Sequence, residues 1–169
     1  MSIVHCSFLN LRAALVVGLA VVSICAQGQN ATPADPRGRW ITANGNLEVE
    51  VAPCGAALCG IVTQVLGNRS MGRDGETMQP VDTRPALGMT LLKDFVPSAT
   101  GTDGTTPTQW SGEIYNRENG KTYQCQMSLD ATANGSSALL LHAYIGMPLF
   151  GKTQRWQRAA PAASTAGQP

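Results

Sequence analysis

Apolar and polar residues alternate in short stretches along most of the chain, and Gly, Asn and Pro separate the stretches. In "LEVEVA", Leu47, Val49 and Val51 fall on one face of an extended strand. Glu48 and Glu50 fall on the other face, which we expect to be solvated. "TQWSGEIY" and "KTYQCQMSL" alternate in the same way. The pattern predicts seven or eight short β-strands and no amphipathic helix.

The order of these stretches predicts how the strands are arranged. Asn44-Gly45 is a strong hairpin signal after "GRWIT". One helical turn and a short strand at 91–95 are expected between two long loops, 66–84 and 97–108. Without crossover helices, consecutive strands should pair antiparallel, and closure into an up-and-down barrel leaves no exposed edge. The prediction is therefore an all-β, single antiparallel up-and-down barrel of seven or eight strands, with a β-sandwich as the alternative.

The N-terminal residues have the pattern of an export signal. Residues 1–12 carry one Arg and no acid, and residues 13–26 form an uncharged apolar run. The run is short for a membrane span and suits a signal peptide, so Gln27 is the expected mature start and the expected location is periplasmic or secreted. An uncleaved anchor and lipidation at Cys25 are the alternatives. After cleavage no other run is long enough to make an integral membrane protein.

Composition and segment boundaries suggest one compact domain. The whole chain has 12 Lys and Arg against 11 Asp and Glu, and Arg12 leaves with the signal, so the remainder is balanced. No basic patch favours nucleic acid or an anionic membrane surface. The predicted segments are a signal peptide at 1–26, a disordered lead-in at 27–37, the barrel domain at 38–158 and a disordered tail at 159–169.

The cysteines are better explained by a structural disulfide than by chemistry. A structural zinc site usually has four Cys or His ligands in two spaced pairs. After cleavage, Cys54 and Cys59 have no second such pair, and His142 is the one histidine. The spacing Cys-x4-Cys is also not that of a thioredoxin motif. Export favours a disulfide between them. Cys125 lies on an apolar strand face and is expected to be a small buried residue. A catalytic Cys125–His142 pair is the weaker alternative, and no metal or cofactor is predicted.

Two short motifs suggest how the barrel closes, and longer ones suggest a family. Gly38 and Trp40 open the first strand, and Arg158, with Arg155 as the alternative, ends the last strand and could stack on the Trp ring. This resembles the closure of lipocalins and other calycin barrels, and the resemblance implies a lipocalin-like or calycin-like barrel. The segments "GRW", "PCGAALCG", "RPALGMTLL", "WSGEIYNRENGKTY" and "YIGMPLFGKTQRWQR" together resemble the secreted bacterial family called domain of unknown function 2147.

The resemblance covers residues 38–158 and implies an exported lipocalin-like barrel with no established enzymatic activity. It also implies that Cys54 and Cys59 form a pair typical of the family. Two positions depart from the family pattern: Arg117 stands where Pro is expected, and His142-Ala143 replaces Arg-Gly. If that Arg serves a ligand carboxylate or phosphate, His142 replaces it only when protonated.

The function predicted from these observations is non-enzymatic binding of a small apolar ligand inside the barrel. The alternative is a structural or partner-binding envelope protein that acts through its long loops. An enzyme is the weakest hypothesis, since no Gly-x-Ser-x-Gly turn or phosphate-binding loop is present. The residues predicted to line the ligand are Leu47, Val49, Val51, Trp110, Ile114, Tyr123, Met127 and His142.

Overall fold

The computed structural model describes residues 35–72, 76–131 and 137–160, with no side-chain description at residue 131. The predicted signal peptide and most of the predicted lead-in and tail lie outside the described residues. Among those residues the secondary structure consists of eight β-strands and one short 3-10 turn. The strands are β1 (Gly38–Ile41), β2 (Leu47–Cys54), β3 (Ala57–Val65), β4 (Thr90–Thr100), β5 (Pro107–Asn116), β6 (Lys121–Ala131), β7 (Ser137–Tyr144) and β8 (Lys152–Arg158).

The strands form a closed antiparallel barrel in which each strand pairs with the next along the chain. Closure is made by β1 and β8, where Trp40 lies opposite Arg158. The predicted up-and-down barrel is confirmed, and the β-sandwich alternative is excluded. We call the end that carries the β2–β3 hairpin and residues 35–37 the closed end. The opposite end, which carries the β1–β2, β3–β4, β5–β6 and β7–β8 connections, is the open end.

The prediction for residues 85–108 was wrong in two respects. Residues 85–89 form bends and turns without a helical turn, and β4 extends from Thr90 to Thr100 where a strand of half that length was expected. Asp94 has a φ of 56°, and the β4–β5 register shifts between Lys93 and Val96. A bulge of this kind inserts an extra residue into the strand, so the apolar and polar residues after it no longer alternate in phase with those before it. The period-two pattern therefore does not reveal the full length of the strand.

The core fills the closed half of the barrel. Buried side chains from all eight strands meet there, including Trp40 and Trp156. Directly opposed pairs such as Trp110 and Met127 share the inner face, as the antiparallel register requires. This half of the barrel interior is therefore a packed core, and space for a ligand has to be sought at the other end.

Glu48 was expected on a solvated face, and the structure corrects this. Its residue exposure is only 8%, although Glu50 beside it is exposed. A register shift between Glu48 and Val49 turns the chain here, and the Glu48 carboxylate accepts hydrogen bonds from Arg39 at 3.2 Å and from the Thr63 hydroxyl at 3.1 Å. The carboxylate is covered because it has these partners.

At the closed end, Arg158 lies over the Trp40 ring with its guanidinium carbon 4.1 Å from the ring centroid. The same guanidinium donates to the backbone carbonyls of Arg37 and Asp35, at 3.2 and 3.0 Å. A Cβ at Gly38 would lie 2.8 Å from Arg158, and its φ of 119° also favours glycine. Arg155, the alternative stacking residue, pairs instead with Asp130.

The β2–β3 hairpin carries a disulfide between Cys54 and Cys59, as predicted, with the two Cα atoms 5.7 Å apart. Because both cysteines lie at the tip of one hairpin, the bond closes a very short loop. On the chain-entropy model such a loop contributes about 2 kcal/mol.

Replacing both Cys54 and Cys59 by Ser is therefore expected to lower the free energy of unfolding by about 2 kcal/mol without loss of the barrel. Urea unfolding of the variant and of the parent protein, with and without reductant, measures this. Reductant should shift the parent alone. A parent midpoint that reductant leaves unchanged would contradict a stabilising disulfide.

A cup at the open end of the barrel

The open half of the barrel interior is hollow. A cavity of about 670 Å³, which we call the cup, is bounded by the ends of the strands and by the β3–β4 and β5–β6 connections. Trp156, buried in the core, also faces the cup. Cavities of this size are typical of small-molecule sites.

The cup has an apolar wall and a polar rim. The apolar lining residues are Leu47, Val65, Met71, Met78, Pro80, Ala86, Leu91, Ile114, Ala143 and Trp156. The polar ones come chiefly from the connections at the open end and include Thr42, Asn44, Asn46, Asn68, Asn116, Asn119, Lys152 and Gln154. A molecule with an apolar body and a polar group at one end matches this division.

Among the described residues, the cations that line the cup are Lys152 and Arg117, and Lys152 is the one that lies on the inner face of a strand. In β8, Lys152 and Gln154 alternate with outward residues, and Trp156 continues the same inner face. Lys152 lies opposite Ala143 of β7, which also lines the cup. Among the described residues, none forms an ion pair with the Lys152 ammonium.

Residues 66–72 and 76–84, which we call the lid, cover one side of the cup. The Asn46 side chain is buried and pairs with the lid backbone, accepting from the Arg69 N–H at 2.9 Å and donating to the Arg69 carbonyl at 2.7 Å. On the other side of the mouth, the Glu118 carboxylate accepts from the Ser70 hydroxyl and, at 3.0 Å, from the Met71 N–H. These contacts hold the lid to the β1–β2 hairpin through Asn46 and to the β5–β6 hairpin through Glu118.

A second contact holds the far end of the lid. The Asp82 carboxylate accepts from Arg84 at 2.9 Å and from the Tyr115 hydroxyl at 2.7 Å. Hydrogen bonding from Arg84, and then from Tyr115, holds the pKa of Asp82 well below its usual range. The same contact with Asp82 raises the pKa of Tyr115. Asp82 therefore stays ionised at neutral and mildly acidic pH, and Tyr115 stays a donor.

The residues predicted to line a ligand fall into three groups in the structure. Leu47, Ile114 and Tyr123 line the cup. Four others are buried in the core beneath it, where neighbouring side chains cover them: Val49, Val51, Trp110 and Met127. Contact of any of them with a ligand stays a prediction.

His142 does not face the cup. Its neighbours Leu141 and Ala143 pack inside the barrel, so the alternation of β7 turns His142 outward. There its Nε2 lies 2.6 Å from the Pro148 carbonyl oxygen and its Nδ1 lies 2.9 Å from the Thr153 hydroxyl. The predicted place of His142 among the ligand-lining residues is therefore corrected.

Cys125 lies on the inner face, opposite Ala143, and so on the other side of the sheet from His142. Burial raises the pKa of the Cys125 thiol to about 12, which leaves it protonated at neutral pH. The two residues of the weaker catalytic hypothesis are thus not brought together.

Among the described residues no group of three or more His, Cys, Asp or Glu is placed to hold a metal ion.

Four residues that line the cup were not predicted from the sequence: Lys152, Gln154, Trp156 and Ala143. A signal for three of them was present: in "KTQRWQR" Lys152, Gln154 and Trp156 share the face of Arg158, which was already expected to stack on Trp40. Extending that alternation toward the N-terminal end of β8 would have found Trp156, Gln154 and Lys152. The lid contacts of Asn46 and Glu118 had no such signal, because they join segments far apart in sequence.

An eight-stranded up-and-down barrel with consecutive antiparallel neighbours and a cup at one end defines a lipocalin-like protein. Residues 38–158 match the model of the family described as an uncharacterized protein conserved in bacteria (DUF2147), and the chain belongs to this family. The family resemblance noted in the sequence is thus confirmed.

One solved structure similar to this chain is protein HP1028 from Helicobacter pylori, described as belonging to the lipocalin family. The two chains are 19% identical, the TM-score is 0.49, and the match covers 75% of this chain and 84% of that chain. A comparison with curated proteins finds no match. Within the described residues, no helix is both long and apolar enough to span a bilayer.

Proposed function

We propose that this protein is a non-enzymatic binding protein that holds one small, largely apolar ligand in the cup. The observation that carries the proposal is the division of the barrel interior into a packed closed half and a hollow open half of about 670 Å³. A barrel whose only task is to be stable gains from filling its interior with side chains. A cavity walled by Leu47, Leu91, Ile114 and Trp156 is suited to an apolar body.

The rim of the cup gives the ligand an orientation. Its apolar body packs against Trp156 and Ile114, and its polar group lies at the mouth among the asparagines and beside Lys152. An acidic group at the mouth would pair with the Lys152 ammonium. Because Lys152 is solvent-exposed, this pairing should add selectivity for anionic ligands and only modest affinity.

The test uses two probes that share an anilinonaphthalene body: N-phenyl-1-naphthylamine is neutral, and 1-anilinonaphthalene-8-sulfonate carries a sulfonate. Both should fluoresce on entering the cup. Lys152→Gln should weaken the sulfonate probe roughly two- to fivefold, as expected for an exposed ion pair, and leave the neutral probe unchanged. Titration of both probes into both proteins gives the four affinities.

The matched control is Lys93→Gln, which makes the same change on the outer wall, where Lys93 lies beside Asp94 at 3.5 Å. It should alter neither affinity. Equal weakening of both probes by Lys152→Gln, or equal weakening of the sulfonate probe by Lys93→Gln, would overturn the assigned orientation. Failure of both probes to bind the parent protein would overturn the proposed function itself.

We also propose that the protein acts outside the cytoplasm, in the periplasm or as a secreted protein. The leader pattern of residues 1–26 supports export. The Cys54–Cys59 disulfide supports it independently, because disulfides persist in oxidising compartments. Expression with the native leader, followed by the mass of the recovered protein, would show whether the chain begins at Gln27.

A further inference from the structure

Exposed apolar side chains are concentrated at the open end of the barrel. Ile61 and Val96 are exposed on the outer wall, within β3 and β4. In the described part of the chain, the other exposed large apolar side chains lie at the open end. They belong to the β7–β8 connection, to the end of β3, and to the lid or the residues just after it. An apolar surface concentrated at one end of a domain is typical of a contact surface.

The densest part of this surface is the β7–β8 connection, residues 145–150, which we call the rim loop. Ile145 is 70% exposed, Met147 62%, Leu149 84% and Phe150 75%. The connection is flanked by Tyr144 and Gly151, and the rim residue Lys152 follows directly. Four large apolar side chains therefore project beside the mouth of the cup.

The rim loop is held in this shape by specific contacts. Pro148–Phe150 form a 3-10 turn, and the Pro148 carbonyl is bound by His142 Nε2 at 2.6 Å. Gly151 passes so close to His142 that a Cβ at this position would lie 2.4 Å from the imidazole Nε2. His142 thus acts as a brace from the outer face of β7. The apolar side chains are exposed in a braced turn and do not pack back onto the barrel.

Size and charge decide which partner fits. The rim loop is a projecting turn of six residues, whereas a stable protein interface uses about 20–30 residues on each side. No Asp or Glu occurs anywhere after Asp130, so no carboxylate on this loop opposes the phosphates of a lipid surface. Lys152 is placed to reach them while the apolar side chains enter the acyl region.

We propose that the rim loop docks the protein onto the surface of a phospholipid bilayer, with the mouth of the cup facing the lipid. The contact is interfacial: side chains of one turn enter the bilayer surface, and no part of the rim loop crosses the bilayer. The apolar contacts that drive docking do not depend on whether the cup holds a ligand, so the proposed function and this proposal fail independently. Because apolar side chains drive it, docking should occur on neutral vesicles and increase moderately on anionic ones.

The test is flotation of the purified protein, expressed from the full chain, with vesicles of phosphatidylcholine alone or with added phosphatidylglycerol. Leu149→Ser combined with Phe150→Ser should reduce the bound fraction at least tenfold, since two exposed apolar anchors are lost. The matched control is Ile61→Ser combined with Val96→Ser, which removes two exposed apolar side chains from the wall and should bind like the parent. All preparations share one N-terminus, so the difference reports the rim loop alone.

A second measurement locates the contact. The three native tryptophans are all buried, so their emission should not change on docking. A Trp introduced by Phe150→Trp should show blue-shifted emission on vesicles and quenching by brominated acyl chains. Absence of both effects, or equal flotation of the rim-loop variant and the parent, would overturn the proposal. A protein that ignores vesicles but forms a dimer broken by the rim-loop substitutions would show that the loop binds a second copy of the chain.

Discussion

Replacing Trp40 by Ala is expected to lower the free energy of unfolding by about 3–5 kcal/mol, the range for removing a fully buried aromatic side chain. Trp40 has 0% exposure, and its Nε1 donates to the Pro36 carbonyl at 2.8 Å. The Arg158 guanidinium also stacks on its ring, so the substitution opens a cavity and removes one of the contacts between β1 and the end of β8. For a domain of this size the midpoint of thermal unfolding should fall by roughly 10–20 °C.

Two comparisons sharpen this prediction. Trp40→Phe keeps an aromatic face for Arg158 but loses the hydrogen bond to Pro36, and should cost about 1–2 kcal/mol. Neither variant should change the affinity for N-phenyl-1-naphthylamine below its unfolding transition, because Trp40 does not line the cup. Urea unfolding followed by circular dichroism measures the stability. A loss below about 1 kcal/mol in Trp40→Ala would show that the closed end does not depend on this stacking.

Replacing Ala143 by Trp is expected to weaken binding of N-phenyl-1-naphthylamine at least tenfold while the barrel stays folded. Ala143 lies on the inner face between Cys125 of β6 and Lys152 of β8, and lines the cup. An indole at this position enters the space that the ligand body needs. Because that space is open, the free energy of unfolding should change by no more than about 1 kcal/mol.

The matched control for Ala143→Trp is Tyr144→Trp. This places the same indole one residue later in β7, on the outer face, where the Tyr144 ring lies 6.0 Å from the His142 ring. Probe affinity should stay at the parent value. Fluorescence titration at equal protein concentration compares the three proteins. Similar weakening by both substitutions would mean that the indole acts through the stability of β7 rather than by occupying the cup.

The fold was predictable because the alternation of the strands is unusually regular. In β2 and β6 every second residue is apolar, so both the strands and their inner faces follow from the sequence. The absence of crossover helices between the strands made consecutive antiparallel pairing the natural arrangement. Local signals failed at Asp94, where a left-handed residue and a register shift interrupt the alternation. They also failed at Glu48, whose burial depends on Arg39 and Thr63 in neighbouring strands.

The candidate site was only partly predictable, because alternation gives the face of a residue and not its depth along the barrel. Val49 and Leu47 share a face, yet Val49 is packed in the core and Leu47 borders the cup. The depth of a residue along the barrel depends on the register and stagger of its strand and on bulky side chains from other strands. The sequence of one strand alone does not contain this information. His142 was assigned from a family departure, and its alternation with Leu141 would have placed it outside.

The rim loop shows a further limit of sequence patterns. "YIGMPLF" has the composition of a buried segment, and its apolar side chains are exposed because a braced turn projects them beyond the strand ends. Nothing in the alternation distinguishes an apolar segment that completes a core from one that presents a surface. The distinction follows here from the His142 brace and from the short 3-10 turn, both of which are tertiary features.

The hollow cup is tested most directly by a native mass spectrum of the purified protein equilibrated with N-phenyl-1-naphthylamine, recorded beside a denaturing spectrum of the same sample. We expect one bound probe molecule per chain in the native spectrum, none after denaturation, and none in Ala143→Trp under either condition. A native spectrum that shows only the bare chain, or the same binding in Ala143→Trp as in the parent, would contradict a ligand-binding cup at the open end.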